Sequence, residues 1–247
     1  MTRDVRAAVF RPGDERIDEA VELLESLGAD PVPDPMLAVE PTGATPEDAP
    51  YVVMTSKTGV ELVADEGWTP GDATIVAIGE RTARAMREAG WTVDVVPEEY
   101  SSSGLVAALE DEVAGERVEV ARSDHGSDVL TDGLADAGAD VHETVLYRLV
   151  RPEGSGESAE LGAAGDLDAA LFTSSLTVEH FLDAAAERGV REEAVEGLND
   201  AVVGAIGEPT RETAENRGIG VDAVPDRAAF EALATAVVER AAPSYRE

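Results

Sequence analysis

The sequence lacks cysteine, contains a single lysine (Lys57), and has no apolar run long enough to cross a membrane. Without cysteine the chain can form no disulfide and offers no thiolate to a metal ion. The absence of an apolar run of about 18 or more residues, and of an apolar N-terminal segment, predicts neither a membrane span nor a signal peptide. We therefore expect a cytoplasmic protein with no membrane partner.

Basic residues are scarce: 19 lysines and arginines face 52 aspartates and glutamates, for a formal net charge of -33. A nucleic-acid-binding protein needs a basic face to displace counterions from phosphates, so no nucleic acid partner is expected. The acids are spread along the chain, whereas acidic interaction tails concentrate them in blocks. At molar salt the Debye length is about 3 Å and such a surface repels itself little, so the composition predicts a halophilic protein.

Motifs of several reaction classes are missing as well. The histidines His125, His142 and His180 lack metal-type spacing. The sequence also has no G-x-S-x-G elbow, no Walker A loop and no G-x-G-x-x-G after a predicted strand. Hydrolase-triad, metal and nucleotide chemistry are therefore not indicated.

What the sequence does contain is an internal repeat. The matching pairs are Val5–Asp14 with Arg117–Gly126, Tyr51–Glu61 with Ala169–Glu179, and Ala77–Gly90 with Ala205–Gly218. The copies occur in the same order, and both members of the last pair contain A-I-G-E-x-T. Ordered repetition of this kind indicates duplicated domains.

The spacing of apolar residues predicts the secondary structure of each copy. Apolar residues recur at helical spacing over Asp14–Leu27, and Gly28 follows, so a helix is predicted there. Short apolar runs without alternation are typical of parallel strands covered on both faces. These runs are Ala7–Phe10, Val52–Thr55, Thr74–Ile78, Val118–Ala121, Ala170–Thr173 and Val202–Ile206. Their alternation with helices predicts an α/β fold of two doubly wound parallel-sheet domains.

Two domain arrangements fit the repeat: tandem halves cut near residue 115, or domains that exchange their first segments. Around residue 115 a predicted helix leads into a strand without linker composition, whereas Pro- and Gly-rich segments begin at Asp30 and Val150. Linkers are typically rich in these residues, so we place the crossings near 34–42 and 148–156. One domain is then 1–36 plus 155–247 and the other is 42–147. A two-stranded hinge ribbon, Met36–Glu40 with Thr144–Val150, is expected to join them.

The order and spacing of these motifs resemble the uroporphyrinogen-III synthase family. The shared features are R-P after the first strand, T-S, A-I-G-x-x-T, T-V-L-Y-R near the second crossing, then F-T-S and A-I-G-x-x-T again. The resemblance implies a lyase of tetrapyrrole biosynthesis (haem, sirohaem, cobalamin) that cyclises hydroxymethylbilane to uroporphyrinogen III, with inversion of ring D and loss of water. It also implies no cofactor or metal. We further expect a monomer, and a transient handover of the linear tetrapyrrole from the preceding pathway enzyme.

Such a substrate carries many carboxylates. Because the chain is strongly acidic, hydrogen-bond donors close to each carboxylate must bind it. Backbone N–H groups at helix N-termini bind anions, and open α/β sheets bind ligands at the carboxyl ends of their strands. The candidates at these places are Thr55, Ser56, Gly79, Thr82, Thr173, Ser174, Gly207 and Thr210, with Ser175 beside them. We expect the two sets to line one cleft. Each hydroxyl has an ordinary alternative role as a helix N-cap.

The resemblance assigns the catalytic role to Tyr147. A phenol of pKa ~10 can donate a proton to the departing hydroxyl; the alternative is a side chain that packs the ribbon. Tyr51, Tyr100 and Tyr245 do not occupy the family position.

Arg11 and Arg122 follow the first strands of the two copies. Each guanidinium could clamp a propionate, or form a salt bridge with one of the many acids. Lys57, Thr58 and Ser127 depart from the family pattern, which puts a substrate contact at Ser127 in doubt.

Two other functions remain open from sequence. A non-catalytic two-domain hinged protein that binds a small anionic ligand would share this architecture, although such receptors are usually exported. A sensor domain of a regulator is a weaker alternative, since no DNA-binding segment is recognised. A proton donor at Tyr147 distinguishes the enzyme from a pure binding protein.

Overall fold

The computed structural model describes residues 5–242. The chain divides into two compact units: unit 1 comprises Met1–Ala38 and Val150–Glu247, and unit 2 comprises Val39–Leu149. Tyr245 lies outside the described residues. Within the described part of the chain, no helix is both long and apolar enough to span a membrane.

The elements are numbered along the whole chain. They are β1 (Val5–Phe10), α1 (Glu15–Ser26), β2 (Ala29–Pro33), β3 (Ala38–Pro41), β4 (Tyr51–Met54), α2 (Lys57–Asp65), β5 (Thr74–Ala77), α3 (Glu80–Glu88), α4 (Ser102–Leu109), β6 (Arg117–Ser123), α5 (Asp128–Asp136), β7 (Asp140–Val150), α6 (Glu157–Ala163), β8 (Ala169–Phe172), α7 (Ser175–Glu187), α8 (Arg191–Asp200), β9 (Val202–Ala205), α9 (Glu208–Asn216) and α10 (Phe230–Ala241).

Unit 1 is built on a four-stranded sheet in the order β2-β1-β8-β9, with parallel pairing throughout. The strands are buried on both faces because successive side chains point to opposite sides. Phe10 and Phe172 pack with α6, α7 and α8 on one face, and Val9 and Leu171 pack with α1 and α10 on the other. The unit is therefore a doubly wound α/β domain, as predicted.

Unit 2 has a five-stranded sheet in the order β3-β7-β6-β4-β5. Pairing is parallel from β7 to β5. One face carries Met54 and Ala77 against α2 and α3, and the other carries Val53 and Val76 against α4 and α5. Both faces are again covered by helices, which confirms the predicted fold class for this unit as well.

The strand order confirms the repeat that the sequence shows. In unit 1, β1 lies between β2 and β8, and β9 follows β8; in unit 2, β6 lies between β7 and β4, and β5 follows β4. An isolated parallel bridge lies beside the last strand of each order, from Gly204 to Ala223 in unit 1 and from Val76 to Val95 in unit 2. Segments that match in sequence therefore occupy matching positions in the two sheets.

Helix α1 illustrates how the local sequence sets the ends of an element. Its N-cap is Asp14, whose carboxylate accepts a hydrogen bond from the backbone N–H of Arg16. Ile17 and Leu24 are among the residues that its inner face buries. Gly28 ends the segment with a φ of 80°, a conformation that glycine adopts at low cost.

Of the segments predicted as a ribbon, Thr144–Val150 lies within β7, whereas Met36–Glu40 overlaps β3 only from Ala38. Strand β7 is longer than predicted and begins at Asp140, because it pairs with β6 from Asp140 to Tyr147. Strand β3 lies beside β7 in the sheet order. Just beyond β3, the backbone N–H of Thr42 donates to the carbonyl oxygen of Leu146 at 3.0 Å.

Candidate functional site

Four helices begin directly after parallel strands, at the carboxyl edge of each sheet. In unit 2, Ser56 is the N-cap of α2 after β4, and Gly79 is the N-cap of α3 after β5. In unit 1, Ser174 is the N-cap of α7 after β8, and Gly207 is the N-cap of α9 after β9. Each N-terminus presents backbone N–H groups and a positive dipole end, so each sheet has two places suited to carboxylates.

Tyr147 and Ser56 lie together at this edge of unit 2. The phenol of Tyr147 donates a hydrogen bond to Oγ of Ser56 at 3.0 Å. The same Oγ accepts the backbone N–H of Gly59 at 2.9 Å, which makes Ser56 a true N-cap. Only 7% of Tyr147 is exposed, so the ring is packed while its hydroxyl has a polar partner.

Gly79 has no open space on the side where a Cβ atom would project. A Cβ placed on Gly79 would lie 3.1 Å from Cγ of Tyr100, so this tyrosine covers the start of α3. Tyr100 itself is 64% exposed. At the twin position Gly207 the nearest atom would be Cδ of Pro209 at 4.0 Å, and the backbone there is open.

In unit 1 the hydroxyls near α7 are largely engaged within the protein. Thr173 donates to the carbonyl oxygen of Phe10 at 2.6 Å. Ser174 forms a capping box with Thr177. Ser175 donates to the carbonyl oxygen of Pro209 at 3.0 Å. These contacts are the capping and turn roles that the sequence left as alternatives.

The twin threonines Thr82 and Thr210 lie in the first turns of α3 and α9, and each is only 4% exposed. Thr55 follows β4 and is partly buried. None of the side-chain hydrogen bonds among residues 5–242 involves these three threonines. Their hydroxyls therefore keep unused bonding capacity at the carboxyl edges.

Arg11 lies directly after β1 with its guanidinium over the ring of Phe230, 4.5 Å from the ring centroid. Its Nε is buried and has no hydrogen-bond partner among the described residues. Burial of the side chain, and then repulsion from Arg16, lower the pKa of Arg11 from its usual value. The aromatic contact orients the guanidinium, which forms no ion pair within 4.0 Å with any residue that the structure describes. No pattern in the sequence indicates that Phe230 contacts Arg11.

Arg122 is placed quite differently from Arg11. It is 5% exposed, and its Nε donates to Oε2 of Glu143 at 2.6 Å. Its Nη1 donates to the carbonyl oxygen of Ser127 at 2.6 Å, and its Nη2 pairs with Glu143 as well. The guanidinium is thus in the salt bridge that the sequence left as the alternative to a propionate clamp.

The three histidines each have a different partner in the structure: Asp124 for His125, Asp140 for His142 and the carbonyl oxygen of Met36 for His180. His125 bonds to Asp124 at 2.8 Å, and Asp124 also accepts the backbone N–H of Leu149 at 3.0 Å. Burial opposes ionisation of Asp124, but the hydrogen bonds from His125 and Leu149 outweigh it and lower the pKa of this carboxyl. Across residues 5–242, no group of three or more His, Cys, Asp or Glu is arranged to hold a metal ion.

Comparison with known proteins identifies the family of this chain. The family model for uroporphyrinogen-III synthase HemD matches residues 18–235. The chain belongs to the uroporphyrinogen-III synthase family. A putative uroporphyrinogen-III synthase from Methanothermobacter thermautotrophicus is 35% identical over 229 residues, which cover 86% of this chain and 89% of the relative. One from Archaeoglobus fulgidus is 24% identical and covers 93% of this chain and 96% of its own length.

Solved structures of uroporphyrinogen-III synthases have the same fold. A mutant enzyme from Thermus thermophilus has a TM-score of 0.68 at 22% identity, over 96% of this chain and 98% of that chain. The enzyme from Helicobacter pylori has a TM-score of 0.62 at 15% identity, over 96% and 100%. The family that the motifs predicted is confirmed, and with it a cyclising lyase of tetrapyrrole biosynthesis.

Proposed function

We propose that this uroporphyrinogen-III synthase homologue cyclises hydroxymethylbilane to uroporphyrinogen III, with inversion of ring D and loss of water. The observation that supports this chemistry best is the position of Tyr147. Its hydroxyl lies at the carboxyl edge of unit 2, 3.0 Å from Oγ of Ser56 at the start of α2. A proton donor therefore stands beside a helix N-terminus that suits a substrate carboxylate.

In the first step Tyr147 donates its proton to the hydroxyl group of the bilane. The carbon–oxygen bond breaks, water leaves, and an azafulvene cation remains on the substrate. Ser56 holds the phenol in place until the departing oxygen takes over as the acceptor of its proton. The substrate's own carboxylates can stabilise the cation, so the protein needs few charged groups at the reacting carbon.

The remaining task of the protein is to orient the rings so that ring D closes in the inverted sense. We propose that the N-termini of α2, α7 and α9 hold carboxylate arms through their backbone N–H groups, and that α3 does so only when Tyr100 moves away from Gly79. Thr55, Thr82 and Thr210 would add hydroxyl donors, and Arg11 a guanidinium. Ser174 and Thr173 would act by shaping the turn that presents the backbone of α7, since their own hydroxyls are engaged.

We also propose the environment and the form in which the protein works. The net charge of -33 supports a salt-rich cytoplasm as the working environment, because screening relieves carboxylate repulsion there. We further propose that the protein acts as a monomer and receives its unstable linear substrate by transient handover from the preceding enzyme.

The decisive experiment is to supply hydroxymethylbilane to the purified protein in high salt and to separate the product isomers by chromatography. We expect the type III isomer, in excess of the type I isomer that forms by spontaneous closure. A reaction without protein, and one with heat-denatured protein, measure that spontaneous background. Formation of type I alone would favour the non-catalytic binding protein and reject the enzyme.

A further inference from the structure

The groove between α2 and α3 in unit 2 gathers basic side chains that the proposed chemistry does not yet use. It has a volume of about 430 Å³, and its lining includes Lys57, Arg81 and Arg84. Lys57 is the first residue of α2, and Arg81 and Arg84 lie in the first half of α3. Because β4 and β5 are parallel neighbours, both helices begin at the carboxyl edge of the sheet. The basic side chains therefore lie at the same edge as Ser56.

Two of these cations are not neutralised by the protein. Among the described residues, the ion pairs within 4.0 Å include neither Arg81 nor Arg84. Lys57 shares its charge with Glu61 at 2.9 Å. In a chain with 52 acidic residues, two neighbouring arginines without a carboxylate partner are available to an external anion.

The acids of the groove do not offset these charges fully. Glu80 lines the groove, but it is paired with Arg87 at 2.7 Å. Glu88 also lines it, one helical turn beyond Arg84 and therefore farther from the sheet edge. At the end where both helices begin, the groove therefore offers the charges of Arg81 and Arg84 beside the paired Lys57 and Glu80.

The helix dipole does not explain this placement. Cations are favoured near the C-terminus of a helix and disfavoured near the N-terminus, where the dipole is positive. The chain has one lysine, and it stands at the start of α2. A bound carboxylate would turn the unfavourable placement into a favourable one, because it would meet the basic side chains and the helix dipoles together.

The repeat provides an internal comparison. The positions that correspond to Lys57, Arg81 and Arg84 in the second copies are Ser175, Pro209 and Glu212. There the hydroxyl of Ser175 donates to the carbonyl oxygen of Pro209 and accepts a hydrogen bond from Thr213. The three positions that are basic between α2 and α3 are therefore neutral or acidic between α7 and α9, where Ser175 and Pro209 bind each other.

We infer that the α2/α3 groove is a carboxylate subsite, in which Arg81 and Arg84, with Lys57 at the rim, hold an acidic arm of the substrate. This inference rests on the proposed function. It adds that the α2/α3 groove of unit 2 binds a substrate carboxylate through charged side chains. At about 1 M salt the Debye length is about 3 Å, so only cations in direct contact attract such a substrate strongly. The groove is a place where the fold provides that contact.

The test compares the double variant Arg81→Gln/Arg84→Gln with the control Arg217→Gln/Arg240→Gln. The control makes the same change in net charge at exposed residues near the C-terminal ends of α9 and α10 in unit 1. In the isomer assay at constant salt, the groove variant should raise KM for hydroxymethylbilane about tenfold, with kcat within about twofold. The control should keep the KM of the parent. An unchanged KM in the groove variant, or an equal rise in both, would overturn the inference.

A second measurement separates this inference from the proposed function. Calorimetric titration with propane-1,2,3-tricarboxylate should show binding to the parent and to the control, and about tenfold weaker binding to the groove variant. Inorganic phosphate at equal ionic strength should compete poorly. A carboxylate subsite would be refuted if phosphate competed equally well. It would also be refuted if the variant without Arg81 and Arg84 bound the tricarboxylate as tightly as the parent. If the parent makes only type I isomer, the proposed function fails while this titration still tests the groove.

Discussion

At the scale of single residues, the role of a side chain depends on partners that are distant in sequence. Tyr147 and Ser56 are 91 positions apart, yet their hydroxyl groups form one hydrogen bond. Arg11 and Arg122 occupy equivalent places in the repeat, but Arg11 rests on Phe230 and forms no ion pair within 4.0 Å among residues 5–242, whereas Arg122 is buried against Glu143. The sequence showed which residues could act, and their neighbours decided which remain available.

Replacing Tyr147 by Phe removes the proposed proton donor and keeps the ring. We expect kcat for formation of the type III isomer to fall about 100-fold, the lower range for loss of a general acid, with a smaller change in KM. Loss of the hydrogen bond to Ser56 should lower the free energy of unfolding by only about 0.5–1.5 kcal/mol. Rapid-mixing kinetics and denaturant unfolding measure the two effects separately.

The matched control is Tyr51→Phe, which removes a phenol at the start of β4, at the opposite edge of the same sheet. It should keep the kcat of the parent. If Tyr147→Phe also retained full kcat, Tyr147 would be a packing residue of β7 and another group would have to protonate the leaving oxygen.

At the scale of elements, some helix N-termini are capped by a neighbouring residue and others by a residue far away in the sequence. Helix α1 is capped by its own neighbour Asp14, which the sequence pattern indicates. Helix α6 is different: the buried carboxylate of Asp34 accepts the backbone N–H of Gly156 at 2.7 Å and that of Ser158 at 3.0 Å. No sequence pattern near α6 points to Asp34, because the contact spans 124 positions.

The crossing of α6 and α8 depends on Gly197. A Cβ at this position would lie 1.8 Å from the carbonyl oxygen of Gly162, so Gly197→Ala must push the helices apart. We expect this variant to lower the free energy of unfolding by about 2–3 kcal/mol, as overpacking of a tight core does. Denaturant titration at fixed salt, followed by circular dichroism, measures the change.

Gly162 itself provides the control, since it belongs to the same crossing. Its added Cβ would meet the carbonyl oxygen of Ala194 at 3.6 Å, an ordinary contact. Gly162→Ala should therefore be neutral or raise stability by up to about 1 kcal/mol through helix propensity. Equal losses in the two variants would contradict the proposed clash.

At the scale of the whole molecule, charge is the dominant property. The net charge of -33 arises from acids along the entire chain, so their mutual repulsion opposes every compact state at low salt. Hydrophobic cores on both faces of each sheet supply the opposing stabilisation. Stability should therefore depend strongly on ionic strength.

We expect the melting temperature to rise by many degrees between about 0.2 M and about 3 M potassium chloride, as screening removes the repulsion. At this chain length each 1 kcal/mol shifts the midpoint by roughly 2–4 °C. Sucrose at equal osmolality is the control: it strengthens burial without screening charge and should reproduce only part of the rise. A melting temperature that did not change with salt concentration would contradict the proposed adaptation to a salt-rich cytoplasm.

The sequence by itself determined the repeat, the alternation of strands and helices, the charge and the family. These properties rest on composition, hydrophobic period and motif order, which are local or additive along the chain. Only the tertiary structure decided that Tyr100 covers Gly79, that Arg122 is bound to Glu143, and that Arg81 and Arg84 share a groove in which neither forms an ion pair within the described part of the chain. Such outcomes depend on which distant side chains meet once the sheets form. A side chain can bind a ligand only through groups that are not already bonded within the protein.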